Sequence, residues 1–153
     1  MAPTEPPRPG DTMEILGIGT DIVECLRVGR MIEAHGEAFL RRVYTVPEIR
    51  HCQARKHAIE HFAARWAAKE AVMKAIGGGW SHGVSWTDIE IRVAAGGTVR
   101  VYVRGGAKDA ALLRNIHDVH ASLAHCRTYA TAYALAVSGE GGTGAFSEAL
   151  FDD

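Results

Sequence analysis

Alternation of apolar and polar residues is strongest over Asp88–Val93 and Thr98–Arg104, two runs joined by AAGG at 94–97. Period-two patterning around a glycine pair predicts a β-hairpin. HDVHASLAHCR (117–127) and TYATAYALAVSG (128–139) read as two further strands, and MEILGIGTDIVEC (13–25) as a strand broken by glycines that ends in a turn. Helical spacing occupies the intervals. LRVGRMIEAHGEAFLRRV (26–43) is interrupted by Gly29 and Gly36, which predicts short helices. The longest helical region is 46–79, with Pro47 near its start and glycines from Gly77 at its end. A break near His57 is left open by the pattern. AKDAALLRN (107–115) predicts a short helix. The order strand, helices, hairpin, helix, hairpin predicts an α+β fold with an antiparallel sheet packed on a long helix.

The ends differ from the body. Residues 1–12 form a Pro-rich arm expected to be disordered, 13–138 the folded domain, and 139–153 a Gly-rich acidic tail. The 153-residue chain carries a net charge of −1. Setting aside the first fourteen residues and the tail leaves 16 Lys and Arg against 11 Asp and Glu. A body of about +5 favours an acidic or phosphorylated partner. Cys25, Cys52 and Cys126 show no CxxC spacing, which fits a reducing compartment and a cytoplasmic protein. No apolar run is long enough to span a membrane.

Candidate chemistry gathers in FAARWAAKEAVMKAIGGG (62–79). At 100° per residue Phe62, Trp66, Glu70 and Lys74 share one stripe, and Arg65 and Lys69 a neighbouring one. A surface Glu70–Lys74 pair would contribute a few tenths of a kcal/mol. Alignment with two aromatics instead faces the stripe toward protein, where a carboxylate needs a cation, a hydrogen-bond network or a metal. Gly77, Gly78 and Gly79 can cap the helix or line a phosphate. Asp21, between GIGT and IV, can cap the following helix or bind a hard metal. With Glu70 it would supply two carboxylates, as Mg²⁺ sites beside phosphates use.

GIGTDIVE with Arg27 (17–27), FAARWAAKEAVMKAIGGG and HASLAH (120–125) occur in that order. Together they resemble the holo-[acyl-carrier-protein] synthases, small trimeric 4'-phosphopantetheinyl transferases, over about Met13–Val137. The resemblance implies transfer of 4'-phosphopantetheine from coenzyme A to a serine of apo acyl carrier protein, with adenosine 3',5'-bisphosphate leaving. It implies that Asp21 and Glu70 hold Mg²⁺ and that Lys74 offsets charge on the diphosphate. Glu70, through a metal-bound water, or His125 would take the serine proton. Lys74, Gly77, Gly78, Gly79 and His125 would contact the bound coenzyme, and Arg65 and Lys69 would contact its phosphates or support the carboxylates. Arg27 and Arg42 would contact the acidic carrier. It further implies a homotrimer with active sites between subunits.

Three departures stand out. Gly97-Thr98-Val99 replaces a Gly-Lys-Pro turn that helps cover the nucleotide, Ala124 replaces a hydroxyl residue, and Cys126 stands where some members have an acid. The last implies that His125 has no acid paired with it as the base. His57 and His61, spaced i, i+4, read as an exposed pair rather than a zinc site. Trp80 and Trp86 read as packing residues, with no aromatic–basic alternation for nucleic acid. Two rival readings are a metal-dependent phosphohydrolase and a non-catalytic coenzyme A or carrier-binding subunit.

Overall fold

The computed structural model describes residues 12–80, 83–139 and 146. The arm and almost all of the tail therefore lie outside the described residues. The elements are β1 (Ile15–Glu24), α1 (Cys25–Val43), α2 (Val46–Gln53), α3 (Ala58–Ile76), β2 (Ile89–Val93), β3 (Val99–Val103), α4 (Gly105–Leu113), β4 (Asp118–His125) and β5 (Tyr129–Val137). β1, β5 and β4 form an antiparallel sheet in that spatial order, and β2 and β3 a separate hairpin. This is the α+β architecture expected from the alternating runs.

The region 46–79 resolves into two helices. α2 begins with a reciprocal capping box, in which the Thr45 side chain accepts from the Glu48 N–H and the Glu48 carboxylate accepts from the Thr45 N–H. It ends at Gln53, and α3 starts four residues after Ala54. In α1, Gly29 sits inside continuous helix while Gly36, at φ 54°, kinks it. Only one of the two glycines breaks the helix.

Small residues set the depth of packing between α3 and the sheet. Ala63, Ala64, Ala67, Ala68, Ala71 and Ala75 are all buried. Opposite them, a Cβ on Gly17 would lie 1.8 Å from the Ala75 carbonyl oxygen, and one on Gly19 1.8 Å from that of Ala71. Strand and helix backbones therefore touch where a side chain would hold them apart. Gly17, Gly19, Asp21 and Val23 alternate on the α3 side of β1. Ile18 and Ile22 occupy the other side and are about two-thirds exposed, as is Tyr133 on β5.

The fold revises the reading of Asp21. β1 continues to Glu24 with Asp21 paired opposite Ala132, and Glu24 precedes α1 without a side-chain cap bond. Asp21 is thus an interior strand residue aimed at a helix, and the capping alternative is removed.

Candidate active site

The two charged stripes of α3 have opposite environments. Along the first, Phe62 is buried, Trp66 and Glu70 are half-buried and Lys74 is exposed. Lys74 does not pair with Glu70. Its Nζ donates to Asp21 Oδ1 at 3.1 Å and to the Thr20 carbonyl at 2.9 Å, bridging α3 to β1. Glu70 Oε2 accepts from the Trp80 indole N–H at 3.2 Å. Gly19 packs on Ala71, so the strand that carries Asp21 runs beside the turn that carries Glu70. Asp21 and Lys74 therefore form an open charged pair, with Glu70 one helical turn before Lys74. Asp21 retains about a fifth of its side-chain surface and Lys74 about half.

The second stripe points inward. Lys69 is fully buried, with Nζ 2.7 Å from Glu48 Oε1 and donating to the Trp86 carbonyl at 3.2 Å and to the Ile89 carbonyl. Burial pulls its ammonium below the ordinary lysine value, and Glu48 opposes that shift. All three ammonium donors are engaged inside the protein. The expected coenzyme contact by Lys69 is corrected on this point: its carboxylate is Glu48, and its surface is closed to a ligand. Arg65, 2% exposed, donates to the His61 carbonyl at 3.3 Å, while its Nε is buried without a partner among the described residues.

Arg65 also lines a cavity of about 270 Å³. Arg55, Arg65, His51, His61 and His125 line it together with the β2–β3 turn. The rings of His61 and His125 are 5.0 Å apart, and those of His51 and His61 6.3 Å. Burial and the neighbouring guanidinium groups lower the pKa of both His51 and His61 below 6.5. His61 thus belongs with His51 and His125, while His57 lines a different cavity with Cys25 and Arg127.

The expectation that His125 lacks an acid is corrected, because one from elsewhere in the chain stands beside it. Glu60 Oε2 is 3.7 Å from its Nδ1. Glu60 lies 65 positions earlier, on the first turn of α3, so no local signal joins the two residues. Arg55, His51 and Glu60 are the site residues that sequence reasoning missed.

Gly77, Gly78 and Gly79 all have positive φ, at 81°, 90° and 62°. The Gly77 N–H caps α3 on the Met73 carbonyl at 2.9 Å, and Arg114 donates to the Ile76 carbonyl at 3.3 Å. The run therefore closes the helix. Arg27 and Arg42 are both exposed, near opposite ends of the kinked α1.

Two half-open carboxylates, with no third His, Cys, Asp or Glu joining them among the described residues, suit a hard cation that takes its remaining ligands from water and substrate oxygens. A positively lined cavity, an open carboxylate pair and a bridging lysine are the parts of a site for a phosphorylated substrate.

Residues 17–137 match the model of the 4'-phosphopantetheinyl transferase superfamily. The chain belongs to that family. Its sequence is 47% identical to the holo-[acyl-carrier-protein] synthase of Rhodopirellula baltica over 123 residues, covering 80% of this chain and 98% of the relative. It is 46% identical to the Koribacter versatilis synthase, covering 77% and 94%. Among solved structures, the Bacillus anthracis holo-(acyl-carrier-protein) synthase in complex with coenzyme A (3',5'-ADP) superposes with a TM-score of 0.69. It is 32% identical, over 84% of this chain and all of that one. Within the family the chain stands with the holo-[acyl-carrier-protein] synthases, as a transferase enzyme of that kind.

Proposed function

We propose that the protein transfers 4'-phosphopantetheine from coenzyme A to a serine of an apo acyl carrier protein, with Mg²⁺ and with release of adenosine 3',5'-bisphosphate. The observation that carries this reading is the Asp21–Lys74 bridge across β1 and α3 at the turn that bears Glu70. Toward the start of α3, the cavity of Arg55, Arg65, His51, His61 and His125 gathers basic side chains suited to the phosphorylated nucleotide of coenzyme A. The β2–β3 turn that lines this cavity is the segment where Gly97-Thr98-Val99 departs from Gly-Lys-Pro.

Asp21 and Glu70 would hold Mg²⁺, which when bound supplies charge neutralisation at the diphosphate. Lys74 directs a half-exposed ammonium, held on Asp21 and the Thr20 carbonyl, to the same place and offsets charge that develops on the departing bisphosphate oxygen. Arg65, which lines the cavity, gives it a fixed positive charge for the nucleotide. The carrier serine Oγ attacks the phosphorus that bears the pantetheine arm, and the bond to the bisphosphate breaks. The serine proton leaves to Glu70 or to His125, whose Nδ1 faces Glu60.

Arg27, exposed six positions after Asp21, offers a cation to an acidic carrier, and Arg42 a second at the far end of α1. Ile18, Ile22, Tyr133 and Leu135 leave an apolar sheet face exposed. Such a face is what a further copy of the chain covers, consistent with a homotrimer. Cys25, Cys52 and Cys126 are unpaired thiols, in keeping with a cytoplasmic enzyme. Among the described residues no helix is long and apolar enough to cross a membrane.

Chromatography of coenzyme A incubated with the protein and Mg²⁺ tests the reading. Adenosine 3',5'-bisphosphate appearing only when apo carrier is added supports transfer. Release without a carrier would instead establish a hydrolase. Bound but intact coenzyme A under both conditions would leave a binding subunit.

A further inference from the structure

Glu70 has one protein partner among the described residues, and that partner is built into position with unusual care. Three glycines at positive φ reverse the chain after Ile76, a path a run of side-chain-bearing residues rarely takes. The reversal brings Trp80 back to Glu70, ten residues earlier, where its indole N–H donates to Oε2 at 3.2 Å. The Trp80 ring stacks on Trp86 at 3.9 Å, with 28° between the planes. Trp86 meets Trp66 edge-on at 5.4 Å, and Trp66 lies 5.4 Å from Phe39 in the core. The Trp86 backbone is itself pinned, because its carbonyl accepts from the buried Lys69 and its turn is closed by the Ser85–Asp88 capping box.

An indole nitrogen is a donor only and does not titrate in the working range. A donor held by a rigid stack therefore fixes one oxygen of a helix-borne carboxylate and leaves the other free. Carboxylates that hold a cation depend on such outer partners for orientation. The aromatic stacking accounts for the ring, but not for the N–H directed at Glu70. A phenylalanine at position 80 would pack in the same way without that bond.

We propose that Trp80 is a positioning residue for Glu70: it clamps Oε2 so that Oε1 is presented to the divalent cation. This rests on the reading of Asp21 and Glu70 as the cation-holding pair. Lys69 supports the clamp at one remove, by fixing the backbone of the tryptophan on which Trp80 rests.

The test uses Mn²⁺ as the probe, its binding followed by electron paramagnetic resonance with coenzyme A present. Trp80→Phe should weaken Mn²⁺ binding by about 10- to 100-fold, the range for loss of an outer partner of a metal ligand. The half-saturating metal concentration for transfer should rise in parallel, with the carrier KM within about two-fold. Trp80→His, which keeps a ring N–H, should recover a measurable part of the affinity. Wild-type Mn²⁺ binding by Trp80→Phe, or a His variant no better than Phe, overturns the proposal. A second measurement needs no variant at position 80. The indole N–H resonance of Trp80 should shift when Mg²⁺ and coenzyme A are added to the wild-type chain, and a resonance that stays in place overturns the clamp. A wild-type protein that modifies no carrier contradicts the transferase reading. Unchanged Mn²⁺ binding by Trp80→Phe beside an active wild type contradicts the clamp alone.

Discussion

Lys69 and Lys74 lie five residues apart on one helix, and the fold gives them opposite work. Lys74 stands half in solvent and bridges to Asp21 on the strand. Lys69 has no exposed surface and spends its three donors on Glu48 and two backbone carbonyls. A five-residue step turns the side chain by about 500°, or 140° net, which moves it from the face over β1 to the face over α2 and β2. Residue type and motif membership are shared, and environment alone separates them. A cation in a buried network maintains the scaffold, whereas one at an open edge remains available for substrate charge.

The largest effect should come from breaking the closed side of this comparison. Lys69→Met leaves Glu48 buried without its cation, and removal of one partner of a buried pair costs about 3–5 kcal/mol. Thermal unfolding should show a large fall in Tm, with loss of activity following loss of fold. A Tm near wild type would show that the Glu48 network stands without Lys69.

Glu70→Gln probes the open side. Transfer should fall by more than about 100-fold, the scale for loss of one group that stabilises developing charge. Its Tm should remain within a few degrees of wild type, because Glu70 is half-buried and Gln still accepts from Trp80. A parallel loss of stability would place Glu70 in the scaffold with Lys69.

Acidity should sharpen the contrast at the third basic region, the histidine cavity. His51 and His61 have folded-state pKa values lowered below 6.5. Below pH 6.5 the unfolded chain therefore binds more protons than the folded one, and the stability of the free protein should decline as pH falls from there. The groups facing the pair are Arg55, Arg65 and His125, with Glu60 next to His125. A bound phosphate favours the protonated rings, so coenzyme A should bind more tightly at pH 6 than at pH 7.5. Calorimetry at the two values measures this, and replacing both histidines with Gln should flatten the difference.

The smallest effect is expected at the exposed arginine. Arg27→Ala removes one solvated charge, worth up to about 1 kcal/mol, so the carrier KM should rise by up to about five-fold. The coenzyme A KM should stay the same. Equal changes in both would remove the docking role.

The hairpin, the pair of C-terminal strands and the open cluster were legible because alternation and a dense motif report local geometry. The strand with Asp21 lies close on the helix with Glu70 through Gly17 and Gly19, whose missing side chains let α3 settle on β1. The division between α2 and α3 falls at His57, where the pattern left a break open, and it stayed undecided because the residues around Ala54 favour helix and include neither Gly nor Pro. The burial of Lys69 was hidden, since a charged i, i+4 stripe looks the same whether it meets water or a partner such as Glu48. Glu60 and His125 meet only because β4 ends over the start of α3, a contact that spans 65 residues and leaves no periodic trace.

The most direct measurement is the mass of an apo acyl carrier protein after incubation with coenzyme A and Mg²⁺, with wild type and Glu70→Gln run side by side. The account predicts that wild type adds one phosphopantetheine to the carrier, that a chelator abolishes the gain, and that the folded Gln variant adds almost none. An unmodified carrier with wild type, or an equal gain with Glu70→Gln, would contradict it.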